Sequence, residues 1–406
     1  MAKQVSFIHA ADLHLDSPFK GLAHTPDSIF EYIRESTFKA FENLVNTAID
    51  KQVDFVLLAG DLFDNERQSL KAQIRLRRGF EKMKHHHIQV YLSYGNHDYI
   101  KGNVHPVTYP ENVFIFPGEE VSHFTYEKNG NPLASIYGFS YENRAVTSNK
   151  ANEFYIHNNE IPFHIAMLHG SVESNTEHDT YAPFQTRELT EKGFHYWALG
   201  HIHQRQLLAT DPPVVYPGNL QGRNRKETEE KGCYYVVMAE NDVSMDFIPL
   251  QAIQFLPIGI DVSSIKEIHQ LERLIFEELN KLSLTEPALL DLSLISNNSL
   301  LGEWENGGLI NEIIELVNDI TTGEKNWLYI FRWRSQVHDF SSSKWKEDHF
   351  FGELQRQFSE RAIDPFMKEL YQQRQARKYI DQLSAEKEQE IKNKAEQLLM
   401  HELLKG

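Results

Sequence analysis

The chain has 406 residues, a formal net charge of −17 at pH 7, 41% apolar residues and one cysteine. The apolar content excludes a disordered chain, and the length suits about two or three domains. The single cysteine excludes an internal disulfide and zinc sites built from several thiolates, and it fits a reducing cytoplasm. A membrane-spanning helix is also excluded because no run of about 20 apolar residues occurs, and the polar first residues are not typical of a signal peptide.

The first hundred residues alternate short apolar strands with amphipathic helices. We predict strands over 5–8, 54–59 and 88–93 and helices over 37–49 and 67–84. This alternation is typical of an α/β layer with parallel strand pairs. After Gly102 the predicted elements are mostly strands, which favours a second, more antiparallel sheet. We therefore predict a two-sheet α/β sandwich flanked by helices, forming one domain over residues 1–250.

The remaining third of the chain has a different pattern. Residues 257–340 read as strand, helix, strand, helix, strand, which predicts a small α+β capping domain. Residues 349–406 are helical and highly charged, and we predict a C-terminal tail there. The tail carries an apolar stripe that is typical either of packing on its own domain or of docking onto a partner.

Five polar clusters each directly follow a predicted strand. They are Asp12-Leu13-His14, Gly60-Asp61-Leu62-Phe63-Asp64, Gly95-Asn96-His97-Asp98, His169-Gly170 and Gly200-His201-Ile202-His203. Side chains just beyond strand ends can converge on one rim of a sheet. Oxygen and imidazole ligands without thiolates suit manganese, iron or zinc more than calcium. Seven such ligands are too many for one four-coordinate ion and suit two ions that share a carboxylate.

These blocks, in this order, resemble the calcineurin-like metallophosphoesterase superfamily, whose pattern runs D-x-H, G-D, G-N-H-D/E, H, G-H-x-H. With these blocks and the later segment Tyr216-Pro217-Gly218-Asn219, the chain is similar to the nuclease subunit of bacterial SbcCD-type DNA-repair exonucleases. The resemblance is specific over residues 5–220. Beyond that range it depends on the order of the domains.

The resemblance implies a role for each motif residue. One ion is expected on Asp12, His14, Asp61 and His203, and the second on Asp61, Asn96, His169 and His201. His97 is expected to stabilise or protonate the leaving oxygen, and Asp98 to orient His97. Some homologous nucleases have a second histidine three positions after the G-D motif. Asp64 occupies that position here, which leaves His97 as the main protic group.

The implied function is that of a divalent-metal-dependent phosphodiesterase, a DNA-repair exonuclease subunit that hydrolyses DNA phosphodiester bonds with a metal-activated water. The expected cofactors are two divalent ions, Mn²⁺ first, with iron or zinc as alternatives. The expected partners are DNA, an SMC-like ATPase and a second copy of the chain, without a membrane. The main alternative is a metallophosphoesterase of nucleotides or other small phosphoesters. A non-enzymatic scaffold is disfavoured by the complete ligand set.

A phosphate-binding surface on this acidic chain must be local. Arg223 and Arg225, after the Tyr216-Pro217-Gly218-Asn219 turn, are our candidate substrate-binding residues. The predicted helix over 67–84 carries seven Lys and Arg residues against one Glu, and it is either a phosphate track or a solvated face. We interpret Arg332 and Arg334, which flank Trp333, as structural.

Overall fold

The structure is a computed structural model that describes residues 3–64, 68–102, 107–174, 181–240 and 242–337, and isolated positions between 353 and 395. The chain forms two compact units. The first comprises Met1–Leu294 and Trp304–Ser335, and the second Ile295–Glu303 and Gln336–Gly406. The predicted tail over 349–406 falls almost entirely outside the described residues. The division into domains 1–250, 257–340 and 349–406 stays a prediction.

The elements follow one another as mixed strands and helices. The strands are β1 (Gln4–Ala10), β2 (Phe55–Ala59), β3 (Gln89–Ser93), β4 (Val113–Ile115), β5 (Ser122–Lys128), β6 (Asn131–Gly138), β7 (Phe163–His169), β8 (Tyr196–Gly200), β9 (Gln206–Thr210), β10 (Pro213–Tyr216), β11 (Gly232–Ala239), β12 (Asp242–Pro249), β13 (Gln254–Asp261), β14 (Ala288–Ser296) and β15 (Leu328–Val337). The α-helices are α1 (Asp27–Asp50), α2 (Leu70–His85), α3 (Thr186–Thr190), α4 (His269–Leu279), α5 (Leu300–Asn306) and α6 (Leu309–Thr321).

Two six-stranded sheets carry the fold. The first has the order β12-β11-β1-β2-β3-β4 and the second β5-β6-β7-β8-β10-β9. Among the described pairs, each sheet has three parallel and two antiparallel neighbours. The predicted two-sheet α/β class is confirmed. The expectation of a more antiparallel second sheet is wrong, because β6, β7, β8 and β10 run parallel and the β11–β12 hairpin joins the first sheet instead.

The apolar runs of the central strands are continuous because both faces are buried. In β2, Phe55 and Leu57 belong to the core between the two sheets, whereas Val56 and Leu58 belong to the core under α1 and α2. Strands covered on both faces lose the alternation of polar and apolar residues. A third core, which includes Trp197, covers the outer face of the second sheet. The site-bearing strand ends therefore stand on a rigid, doubly covered scaffold.

The segment after β12 forms a three-stranded sheet in the order β13-β14-β15. A cluster that includes Phe255, Leu289 and Trp327 packs it against Ile29 and Ile33 of α1. Helix α1 begins ten residues before the predicted start, and β9 and α5 were not predicted. No helix in the described part of the chain is long and apolar enough to cross a membrane.

Candidate metal centre

The five polar clusters meet at one edge of the two sheets. Asp12 follows β1, Asp61 follows β2, Asn96 follows β3, His169 ends β7 and His201 follows β8. Backbone hydrogen bonds tie the first two loops together, since the Asp12 N–H donates to the Gly60 carbonyl over 3.1 Å. The His14 N–H donates to the Asp61 carbonyl over the same distance. Parallel strands thus place their carboxyl ends, and the polar residues there, along one edge of the sheets.

The first ligand group consists of Asp12, His14 and His203, whose ligand atoms lie within 4.8 Å of one another. The Nε2 atoms of His14 and His203 face each other at 3.0 Å. His203 Nδ1 donates to the Glu227 carboxylate at 3.2 Å, so the lone pair of His203 stands on Nε2, inside the group. Burial raises the pKa of Glu227, but His203 and Arg223 lower it to about 2, which keeps the carboxylate charged.

The second ligand group consists of Asp61, His169 and His201. His169 Nδ1 donates to the Ala59 carbonyl at 2.9 Å, which leaves Nε2 as the ligand atom. The Asn96 Oδ1 atom lies 3.0 Å from His169 Nε2 and 3.2 Å from His201 Nδ1. An amide oxygen and two imidazole nitrogens thus converge on one point together with the Asp61 carboxylate. The second group gathers all four residues expected there.

Asp61 stands between the two groups. Its Oδ2 atom is 3.4 Å from His169 Nε2 and 3.9 Å from His14 Nε2. Burial raises the pKa of this carboxyl, but His169 and the other neighbouring histidines hold it well below its usual range. Burial lowers the pKa of His169, yet Asp61 and Asp12 raise it to about 9. The buried electrostatics therefore favour positive charge between these ligands.

The donor set fits divalent ions. In both groups, imidazole nitrogens approach another ligand atom at 3.0 Å, and a cation bound there would take up the lone pairs of these atoms. The buried Nδ1 of His14 also has no hydrogen-bond partner among the described residues. Carboxylate, amide oxygen and imidazole ligands without thiolates match manganese, iron or zinc. The structure thus offers two groups of residues that could each bind a metal ion, with Asp61 of the second group close to His14 of the first.

Four of these ligands have strained backbone. Asp12, His14, Asp61 and His201 have φ angles of 52°, 42°, 50° and 97°, in a region that side chains with a Cβ rarely adopt. Strain of this kind persists where a site fixes the chain in one conformation. Gly95 is required by close approach, since a Cβ there would lie 2.3 Å from Asp61 Oδ1 and 2.7 Å from His169 Nε2.

His97 lies half-buried at the rim, with its ring centroid 5.0 Å from that of His14. Its Nδ1 donates to the carbonyl oxygen of Asp64 at 2.9 Å. The expectation that Asp98 orients His97 is wrong. Both oxygens of Asp98 instead accept backbone N–H groups, from Gly95 and Leu62, each at 2.7 Å. Asp98 therefore clamps the loop after β3 to the loop after β2.

The sequence matches the profile of the family described as calcineurin-like phosphoesterase over residues 5–205. The chain is 37% identical over 408 residues to the "Uncharacterized metallophosphoesterase YhaO" of Bacillus subtilis (strain 168), covering 99% of both chains. It belongs to the calcineurin-like phosphoesterase family.

More distant relatives share part of this phosphoesterase. A "DNA double-strand break repair protein Mre11" of Methanocaldococcus jannaschii is 26% identical over 283 residues, covering 66% of this chain and 73% of the relative. The protein of the same description from Sulfolobus acidocaldarius is 22% identical over 283 residues, covering 65% and 68%. The phosphoesterase is accordingly a hydrolase with two metal-binding groups.

The two candidate substrate-binding residues, Arg223 and Arg225, have different surroundings. The Arg223 guanidinium forms an ion pair with the Asp64 carboxylate, next to the first ligand group. Arg225 is half-buried on the same segment.

In α2, Lys71 and Arg75 both pair with Glu35, and Arg77 pairs with Glu81. Much of the basic charge of this helix is therefore neutralised, which favours the solvated-face interpretation.

Several predictions outside the site have clear outcomes. Arg334 Nε donates to Ser293 Oγ at 2.8 Å and Arg332 lies 3.7 Å from Asp291 Oδ2, as a structural role requires. The single cysteine, Cys233, is fully buried.

The sequence reasoning missed the residues that support the ligands from behind. Glu227 fixes His203, and Lys231 Nζ donates to the His203 carbonyl at 2.8 Å. The hydroxyls of Tyr141 and Tyr216 donate to the carbonyls of His169 and Gly170 at 2.8 and 2.7 Å. Glu227 belongs to the highly charged segment 225–231, in which no spacing distinguishes it from the other charged residues.

Proposed function

We propose that this phosphoesterase is a manganese-dependent DNA-repair exonuclease subunit that hydrolyses phosphodiester bonds. The observation that carries the proposal is the pair of ligand groups joined through Asp61, with His97 at their open rim. The names of the partial relatives, DNA double-strand break repair proteins, support DNA as the substrate. The exonucleolytic mode and the choice of manganese rest on the resemblance of the motif blocks.

The ligand groups define what each residue contributes. Asp12, His14, Asp61 and His203 would hold one ion, and Asp61, Asn96, His169 and His201 the other. Bound ions of this kind activate water as a nucleophile and neutralise charge on a phosphodiester. The chain itself orients His97, because its Nδ1 proton is fixed on the Asp64 carbonyl. Nε2 is then the ring nitrogen that exchanges a proton with the leaving sugar oxygen.

A direct assay tests this proposal. Purified full-length chain with Mn²⁺ is expected to degrade linear DNA. His97→Gln is expected to lower turnover by about 10²-fold or more while two ions stay bound, because general acid catalysis supplies that order of magnitude. The exposed His86, changed to Gln, is the matched control. Full activity in His97→Gln contradicts the assigned proton transfer.

A second candidate function is hydrolysis of nucleotides or other small phosphoesters. It is favoured by the ion pairs of α2, which remove charge that a long DNA track needs. Turnover of bis(p-nitrophenyl) phosphate without turnover of DNA supports this candidate. Turnover of neither substrate by chain that carries two ions supports a non-enzymatic role.

The partners are also part of the proposal. We expect an SMC-like ATPase to dock on residues 372–406 and the chain to form a homodimer. Deletion of 372–406 is expected to abolish ATPase binding while metal-dependent hydrolysis and solubility are kept. Aggregation of the shortened chain contradicts the docking role, because it indicates that this segment packs on its own domain.

A further inference from the structure

Arg223 occupies a partly water-excluded position beside the first ligand group. Its Nη1 atom pairs with Asp64 Oδ1, and the two side chains are only 18% and 14% exposed. The same Asp64 oxygen lies 3.7 Å from His14 Nδ1. The guanidinium is therefore held next to a metal ligand and shielded from water, where a hydrogen bond to a charged ligand is stronger than at the surface.

Both ends of Arg223 are fixed. At the backbone end, the Arg223 N–H donates to Glu227 Oε2 at 2.9 Å, and the other oxygen of that carboxylate accepts from His203. At the guanidinium end, Asp64 is itself held by the Ser17 hydroxyl, which donates over 3.4 Å. The arginine is thus placed relative to His14 through one carboxylate and to His203 through another.

One donor of this guanidinium has no partner in the part of the chain that the structure describes. The Nε atom of Arg223 is buried and has no hydrogen-bond partner among the described residues. Buried polar groups are nearly always paired, so a donor without a partner at a site indicates a missing acceptor. The edge of a guanidinium formed by Nε and a neighbouring Nη matches two oxygens of a phosphate group.

Asp64 also connects Arg223 to His97. Its carboxylate pairs with Arg223, and its backbone carbonyl accepts the Nδ1 proton of His97. One residue therefore sets both the group that would protonate a leaving oxygen and the cation beside it. A substrate that reaches both groups would place an anionic oxygen at Arg223 and its leaving oxygen at His97, and a phosphate ester carries both kinds of oxygen on one phosphorus atom.

We propose that Arg223 binds a non-bridging oxygen of the substrate's phosphate ester through the guanidinium edge that carries Nε, and that Asp64 is the residue that positions it. The identity of the ester, DNA or a small phosphodiester, rests on the proposed function. The phosphate contact itself does not.

Full-length chain saturated with Mn²⁺ tests the inference. Arg223→Lys keeps the charge and loses the planar edge, and Arg223→Met loses both. The matched control is Arg187→Lys, because Arg187 forms an exposed ion pair with Glu191 on α3. The measurements are KM and kcat for bis(p-nitrophenyl) phosphate and linear DNA, the inhibition constant of inorganic phosphate, and bound manganese by elemental analysis.

We expect Arg223→Lys to raise the inhibition constant of phosphate and the KM by about tenfold, and Arg223→Met by up to about 100-fold. Asp64→Asn is expected to raise both by less than Arg223→Met does, because the arginine loses its anchor but keeps its charge. Two manganese ions per chain should remain in every variant, and Arg187→Lys should match the wild type. If Arg223→Met does not fold by circular dichroism, Arg223→Lys decides the question.

Two results overturn the inference. One is an unchanged inhibition constant of phosphate in the Arg223 variants with manganese retained. The other is loss of manganese from Arg223→Lys with unchanged phosphate affinity of the loaded fraction, which makes Arg223 a support of the metal group. Failure of the proposed function looks different. The result is then a wild-type chain that hydrolyses bis(p-nitrophenyl) phosphate but not DNA, and a raised KM for that small ester in Arg223→Lys. In that case DNA is not the substrate, and the phosphate contact of Arg223 is still supported.

Discussion

The two ligand groups are built by different means, although they lie at one edge of the sheets and Asp61 stands between them. The group of Asp61, His169 and His201 is fixed by backbone: His169 donates to the Ala59 carbonyl, and Gly95 lies in close contact with two ligands. In the group of Asp12, His14 and His203, backbone hydrogen bonds hold the first two residues, whereas His203 is fixed by the side chains of Glu227 and Lys231. The first is set by the sheets themselves, and the second depends on the segment between β10 and β11.

Removing the shared carboxylate should break both groups at once. Asp61→Asn is expected to reduce phosphoester hydrolysis by about 10³-fold or more, because both ions lose a charged ligand that lies between them. The measurement is steady-state turnover together with bound manganese. Asp246→Asn, an exposed change on β12, is the control. Retention of two tightly bound ions in Asp61→Asn contradicts the bridging position.

A methyl group at Gly95 should displace two ligands of the backbone-built group. Gly95→Ala places a Cβ 2.3 Å from Asp61 Oδ1 and 2.7 Å from His169 Nε2, so these ligands must move. We expect bound manganese to fall from two ions toward one per chain. Gly21→Ala is the matched control, since no atom lies within 4 Å of a Cβ at that position. Unchanged stoichiometry in Gly95→Ala argues against a group held by close backbone contact.

A neutral side chain should weaken the other group more gently. Glu227→Gln keeps the shape of the side chain but removes the charge that receives the His203 proton. Loss of such a support lowers metal affinity by about 10–100-fold. Calorimetric titration with Mn²⁺ should show one weakened and one unchanged site. Glu191→Gln, which affects only the exposed pair with Arg187, should leave both sites unchanged.

A histidine outside both groups sharpens the contrast. His9 is fully buried, donates from Nε2 to the Leu199 carbonyl and accepts from the Tyr196 hydroxyl, so the protein satisfies it without an ion. Burial lowers its pKa to about 3 from 6.5. Its contribution to stability is therefore complete above pH 6.5 and is lost as the pH falls toward 3, by at most about 1.4 kcal/mol per pH unit.

Urea unfolding of ion-free chain at pH 7, 6 and 5 measures this effect. His9→Gln should flatten the fall in unfolding free energy relative to the wild type, and the exposed His86→Gln should not. An identical slope in His9→Gln and wild type contradicts the buried neutral state of His9.

Much of the fold and site was predictable because the signals are local. Each ligand block is a few residues long and follows an apolar strand. The sequence therefore indicates both where a strand ends and which metal-ligating side chains lie there. The hydropathy pattern of a strand does not reveal the direction in which it pairs. The second sheet was therefore expected to be more antiparallel than it is. The partner of His97 depends on how the loops after β2 and β3 meet, and Glu227 reaches His203 only through the folded path of the chain.

The left-handed backbone at Asp12, His14, Asp61 and His201 has a consequence for how this protein can be made more robust. Glycine at these positions would relieve the backbone strain. Substitutions chosen only for a higher melting temperature will therefore tend to replace the metal ligands. Ions that bind the native chain repay the cost of these conformations by mass action. The heat resistance of this enzyme is therefore a property of the chain together with its dissolved metal, and it should be compared between variants at a fixed concentration of that metal.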